Sequence, residues 1–304
     1  MTRLEPAPRA HLLLGAQLIG LLALCASCAA TPGSAPPEAP PLPRPESTPP
    51  RTSPTPPPSS RPAEVDEDAL KQANNPLANM TTIKFQNYAI TETTGTDDSA
   101  NQFWVRYAQP IETPGGTWLM RASMPLLSVP VGNDNSESGI GDSNVFAAYL
   151  METDDPAVSL GVGPLVGVPT GTKDVLGTDQ WSLGAAAVYF DARSELVQFG
   201  GLVTYQHKLF GSGRAPDVNL LAIQPFGMLQ LGKGVYFRSV GIWAFDLQQG
   251  NYNIPVGFGL GKVVKAGDMV LNFYLEPQFT VLHDGPGQPE YQVLFGFNTQ
   301  FLGM

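Results

Sequence analysis

The chain has 304 residues, a formal net charge of −10 and two cysteines, Cys25 and Cys28. An acidic balance without a basic stripe excludes a nucleic-acid partner, and cysteines confined to the front of the chain cannot staple its body with disulfides. The histidines are His11, His207 and His283; no HExxH or comparable spacing accompanies them, so no enzyme chemistry, metal or cofactor is expected.

Residues 1–30 read as an export signal. Arg3 and Arg9 precede an apolar run from Leu12 to Leu24, and small residues follow. That run falls short of the roughly 20 residues a membrane-crossing helix needs. Cys28, after Ala26 and Ser27, resembles the lipid-accepting cysteine of bacterial lipoproteins; simple cleavage near Ala30 is the alternative. Residues 31–74 form a linker, with fourteen prolines in 31–65. So proline-rich a stretch cannot build a core and favours extended, polyproline-like conformations. It is either a periplasmic tether reaching toward the cell wall or a disordered tail without a partner.

From residue 75 to 304 the pattern changes to long strands. Twelve are predicted, near 80–91, 102–109, 117–127, 141–151, 157–169, 179–190, 197–209, 217–231, 235–246, 251–262, 269–282 and 290–302. Alternation is cleanest at the end, where Leu271, Phe273, Leu275, Phe279 and Val281 share one face and Asn272, Glu276, Gln278 and Thr280 the other. Most of these segments exceed the five or six residues common in soluble sheets and match the roughly 9–11 that cross a bilayer at a tilt. The links alternate too. Longer ones (DNSESG, TGTKDVLG, GSGRAP, HDGPGQP) interleave with shorter ones such as ETDDP and GKG, as a barrel with one outer and one periplasmic end requires. An even strand number returns both termini to the periplasm. The expected fold is therefore all-β, an antiparallel transmembrane β-barrel of about 12 strands.

Charges within these strands must avoid lipid, since Arg or Lys at the midplane costs about 2–4 kcal/mol. Lys84, Arg106, Arg121, Gln206, Lys208, Arg238, Asn272, Glu276 and Gln278 are accordingly expected to face the lumen. Acids such as Asp134, Glu137, Asp154, Asp155, Asp174, Asp284 and Glu290 are expected in links, giving a basic lumen bounded by acidic loops, or else bases that pair with Glu276 to brace a filled barrel. Trp104, Trp118, Trp181 and Trp243 are expected at the membrane interfaces, where an amphipathic ring is favoured. Glycines such as Gly161, Gly163, Gly257 and Gly259 leave space inside, either for a solute or for side chains from elsewhere in the wall.

The segments GVPTGTKDVLGTDQWSLGAAAVYF, NLLAIQPFGMLQLGKGVYF, IPVGFGLGKVV and NPLANMTTIKFQNY resemble the proteobacterial MetA-pathway phenol-degradation family of outer-membrane proteins. The resemblance spans 75–302 and is most distinctive at Pro169, Thr170, Thr172, Leu176, Gly177, Trp181, Ser182 and Gly184. It implies an outer-membrane barrel acting as a channel or transporter in a Gram-negative envelope. Its link to phenols is one of pathway context and sets no specificity.

The leading functional expectation is passage of small, hydrophobic or anionic solutes across the outer membrane. A closed barrel with a structural or assembly role is one alternative; a soluble-type β lipoprotein that binds a lipid or small molecule is another. Expected partners are outer-membrane lipids and lipopolysaccharide, the solute, the barrel-assembly machinery and, through the linker, the cell wall.

Overall fold

The computed structural model describes residues 74–75, 77, 80–95, 98–132, 135–211 and 215–301. The export signal, Cys28 and the proline-rich linker lie outside the described residues.

Fifteen strands form one antiparallel sheet: β1 (Thr81–Thr93), β2 (Ala100–Thr113), β3 (Gly116–Gly132), β4 (Asn135–Ile140), β5 (Ser143–Met151), β6 (Val158–Val168), β7 (Gln180–Asp191), β8 (Val197–Gly211), β9 (Asn219–Gly232), β10 (Val235–Val240), β11 (Trp243–Asp246), β12 (Asn251–Gly257), β13 (Gly259–Ala266), β14 (Met269–Asp284) and β15 (Pro289–Phe301). β4 and β5, β10 and β11, and β12 and β13 are halves of single staves, interrupted at 141–142, 241–242 and 258. Twelve staves result. β15 pairs with β14 on one side and with β1 on the other, from Thr81 opposite Phe301 to Thr93 opposite Pro289, so the sheet closes on itself. Closure leaves no edge of unpaired N–H and C=O groups, the condition for a sheet to sit in hydrocarbon.

The outer surface meets the second condition. Leu160, Val162, Leu183, Phe199, Val203, Leu260, Phe273, Leu275, Phe279 and Phe295 are 36–57% exposed, and no helix among the described residues covers them. An apolar band of this extent fits lipid rather than water. The fold is an all-β, closed, antiparallel transmembrane barrel, and a soluble β lipoprotein does not account for the band.

Two sequence expectations change. The DNSESG segment, expected as a link, is mostly strand: Asn135–Ile140 pairs with Leu126–Gly132 as a hairpin that prolongs the wall. A run of Ser, Asn and Gly reads as loop because its side chains lack a greasy face, yet its backbone finds a complete partner in β3. Glu137 consequently lies in β4, while Asp284 ends β14 and Glu290 lies in β15.

The loop 169–179 is tied to the interruption between β4 and β5. Asp142 accepts hydrogen bonds from the Gly171 N–H (3.0 Å), the Thr178 N–H (2.6 Å) and the Thr178 hydroxyl (2.8 Å). The Thr170 hydroxyl donates to the Gly141 carbonyl, and the Thr172 N–H donates to that of Ile140. Leu176, fully buried, packs on Leu127 and Val129. A Cβ at Gly177 would collide with Asp142, so the loop's close seating requires glycine there. The threonines, leucine and glycine of the distinctive PTGTKDVLG run are thus the parts of a latch.

Inside the barrel, glycines make room for aromatic rings. The Tyr236 ring lies over Gly261 and the Tyr274 ring over Gly296, each where a Cβ would stand. Glu276 occupies the corresponding space beside Gly257. Of the two uses expected for these glycines, packing is the one found at all three.

Gly296→Val should push the Tyr274 ring aside and cost about 1–3 kcal/mol through overpacking; a urea midpoint in lipid vesicles equal to that of the parent would contradict this account. Asp142→Ala strands three donors and should loosen the latch by roughly 1–3 kcal/mol. Limited trypsin digestion reads that directly, because Lys173 sits in the loop, and faster cleavage there is expected.

Candidate functional site: the barrel interior

Alternation along each stave delivers the polar side chains inward. Register then sets them against each other: Lys84 of β1 lies opposite Arg106 of β2, and Arg121 of β3 lies opposite Ala108, two residues further along. Like charges paired directly across strands repel. Each guanidinium is therefore held partly by aromatic faces. Arg106 sits 4.7 Å from the centre of the Trp104 ring, Arg121 sits 4.5 Å from that of Phe146 and Arg238 sits 3.8 Å from that of Tyr274.

Arg238 also has a full ionic partner. Its Nε donates to Glu276 Oε2 at 2.6 Å, while Glu276 Oε1 accepts from the Val240 N–H at 2.8 Å and from Gln278 Nε2 at 3.0 Å. Gln278 Nε2 also reaches the Val240 carbonyl, and its Oε1 accepts from Gln292. Glu276 and Gln278 are wholly buried, so this network is a sealed polar knot inside the wall. The interruption after Val240 exposes the N–H and C=O that the knot uses.

On the same two strands, Asn272 accepts from the Tyr236 hydroxyl at 2.7 Å and donates to Asn74 at 3.1 Å. Asn75 donates to Ser159 of β6 at 3.3 Å. The segment before β1 therefore bridges from β14 to β6 through the interior. Leu77, 4% exposed, packs there against inward side chains including Leu119, Phe146, Leu165, Val188 and Leu202. Sequence reading placed nothing functional here. The available signal was NPL, where the Asn75 side chain accepts from the Leu77 N–H at 2.8 Å and so forms a turn that points one leucine inward.

These elements surround a cavity of about 110 Å³. Lys84, Arg106, Arg121, Arg238 and Asn272 all line it, as do Asn74, Leu77 and Met80 of the leading segment. Apolar side chains line it as well: Val188, Leu202, Phe226 and Met228 on β7 to β9, remote from the cations, and Leu119 and Phe146 beside Arg121. The sequence predicts a basic lumen. The interior is instead divided between basic and greasy sides, because β6 to β9 carry Leu, Val, Phe and Met at inward positions as well as outward ones.

The remaining expected residues are elsewhere. Gln206 is buried and accepts from the Ser182 hydroxyl at 3.1 Å, and Lys208 pairs with Asp217 at 2.6 Å toward the 212–218 link. Neither lines the cavity. Among the tryptophans, Trp118 meets Tyr149 edge-on at 5.4 Å and Trp181 stacks on Phe210 at 5.8 Å, both near strand ends. Trp243 is half-buried and donates to the Pro255 carbonyl at 3.2 Å. Trp104 is not interfacial. It is 5% exposed and stands opposite Gln86 on the inner face, where it supports Arg106.

No family model matches the chain, and no curated relative matches it. Solved structures do. An outer membrane channel from Pseudomonas putida F1 aligns at 14% identity over 73% of this chain and 96% of that one, with a TM-score of 0.57. The fold is that of an outer-membrane barrel. Looser matches are the NanC porin, at 11% identity over 73% and 98% with a TM-score of 0.46, and the KdgM porin, at 8% over 73% and 99% with 0.43.

Glu276→Gln removes the only carboxylate paired with an inward arginine among the described residues. It leaves Arg238 charged and buried, which should cost about 3–5 kcal/mol; thermal unfolding of the detergent-solubilised barrel, followed by its gel-shift on heating, should show the loss.

Proposed function

We propose that this barrel is a passive outer-membrane channel whose basic interior admits small anionic solutes. The observation that carries the reading is the lining of the cavity, which holds four cationic side chains and, among the described residues, no carboxylate. In a low-dielectric passage such a ring of one sign concentrates counter-ions and discourages co-ions. Membership of the MetA-pathway phenol-degradation group belongs to the same proposal, supported by the 169–184 motif and its role as a latch.

Partners follow from the setting: lipid and lipopolysaccharide around the apolar band, the barrel-assembly machinery during insertion, and the cell wall through the linker. Lipidation at Cys28 would hold the start of that linker at a membrane surface.

A second reading has its own support. The leading segment and the Arg238–Glu276 knot fill much of the interior, as a closed barrel with a structural or assembly role would require. Planar-bilayer recordings separate the two. Channels with an anion-selective reversal potential under a KCl gradient are expected; silent membranes favour the closed barrel, and cation selectivity overturns the basic-passage reading. Leu77→Ala, which removes about 2–5 kcal/mol of apolar burial from the leading segment, should raise the frequency of open events.

A further inference from the structure

We infer that the cavity is a binding site for one amphipathic organic monoanion, a carboxylate carrying an apolar tail. This names the solute class of the channel proposed above and rests on that reading.

The charge side of the site is specific. Arg106 is 8% exposed, and the Arg121 Nε is buried without a hydrogen-bond partner. Lys84 stands directly opposite Arg106 in the register, so three cations converge from three consecutive staves. Among the described residues none of the three forms an ion pair with a carboxylate. Glu276 cannot serve them, since both of its oxygens are already occupied by Arg238, Val240 and Gln278. Buried cations without a counter-charge are costly, and an incoming carboxylate would meet donors suited to it in the guanidinium groups.

The tail side is equally specific. Across the same space, on the remote staves β7 to β9, lie Val188, Leu202 and Met228, and Leu77 of the leading segment lines it too. A small inorganic anion would gain nothing from that wall. A neutral hydrocarbon would leave the cations unpaired. Only a molecule with one charged end and an apolar body satisfies both sides, and its tail would lie against Leu77 of the segment that crosses the interior.

The test uses hexanoate, with acetate as the same head without the tail and hexan-1-ol as the same tail without the charge. Titration calorimetry on the full-length barrel in a non-ionic detergent should give a hexanoate affinity about 10-fold or more above either comparator, from the charge-assisted contact that hexan-1-ol lacks and the apolar burial that acetate lacks. Arg121→Gln should weaken hexanoate by about 10-fold, leave hexan-1-ol unchanged, and be rescued in large part by Arg121→Lys. Equal affinities for hexanoate and hexan-1-ol, or an Arg121→Gln variant that folds and binds hexanoate normally, overturn the site. Bilayer recordings keep the two proposals separate. Conductance without hexanoate binding refutes this site and leaves the channel standing; binding without conductance does the reverse.

Discussion

The pairing of β1 with β15 is the constraint from which the rest follows. Twelve staves can lie in hydrocarbon only if the first and last complete each other's hydrogen bonds, and they do so across nearly their full length. Once the sheet is closed, its two faces become two solvents. Lipid takes the face with Phe273, Leu275, Phe279 and Phe295, and Lys84, Arg106, Arg121, Arg238 and Glu276 are driven to the other. The inward concentration of Lys84, Arg106, Arg121 and Arg238 is a consequence of closure before it is a device for function.

A closed wall of this size must then decide how to fill its interior. The chain does it by pairing large with absent side chains: Tyr236 over Gly261, Tyr274 over Gly296, Glu276 beside Gly257. These contacts cluster on β10 and β12 to β15, which also carry two of the three interruptions and the Glu276 knot. The other half, from β2 to β8, leaves its aliphatic inner face to Leu77. One side of the barrel is thus braced by its own staves, while the other is packed by the segment that precedes β1 in the chain.

This division explains what could be read from the residues and what could not. β14 and β15 are plain in the sequence because Asn272, Glu276, Gln278 and Gln292 mark the inner face with polarity. In β6 and β7 the inner face is mostly small or apolar, with Gly161, Leu165, Ala186, Val188 and Phe190, so polarity marks it only at Ser159, Gln180 and Ser182. Trp104 was misplaced for a related reason. A tryptophan near a strand end satisfies the interfacial pattern, and only the register with Gln86 shows that it points inward beside Arg106. The inward charges were legible residue by residue, since lipid forbids the alternative. Their convergence was not, because it depends on which staves are neighbours and on the stagger between them. The leading segment is harder to read: Asn74, Asn75 and Leu77 carry no periodicity, and apart from the local Asn75–Leu77 turn their positions are fixed by partners some 84 and 198 residues away.

Stability and selectivity pull differently on the four inner cations. Arg238 is neutralised by a glutamate that is itself saturated, so this pair contributes rigidity and takes no part in attracting solute. Lys84, Arg106 and Arg121 have no carboxylate partner among the described residues, and the ring faces beside Arg106 and Arg121 offer each guanidinium about 0.5–2 kcal/mol, much less than a carboxylate in the same surroundings. A barrel built only to be closed would gain by placing an acid among them, and Ala108 or Gln86, on the same inner face, offers a position for one. The sequence keeps those positions uncharged. The cluster therefore has the character of a site whose counter-charge arrives from outside the wall, and the apolar surface facing it limits what that counter-charge can be attached to.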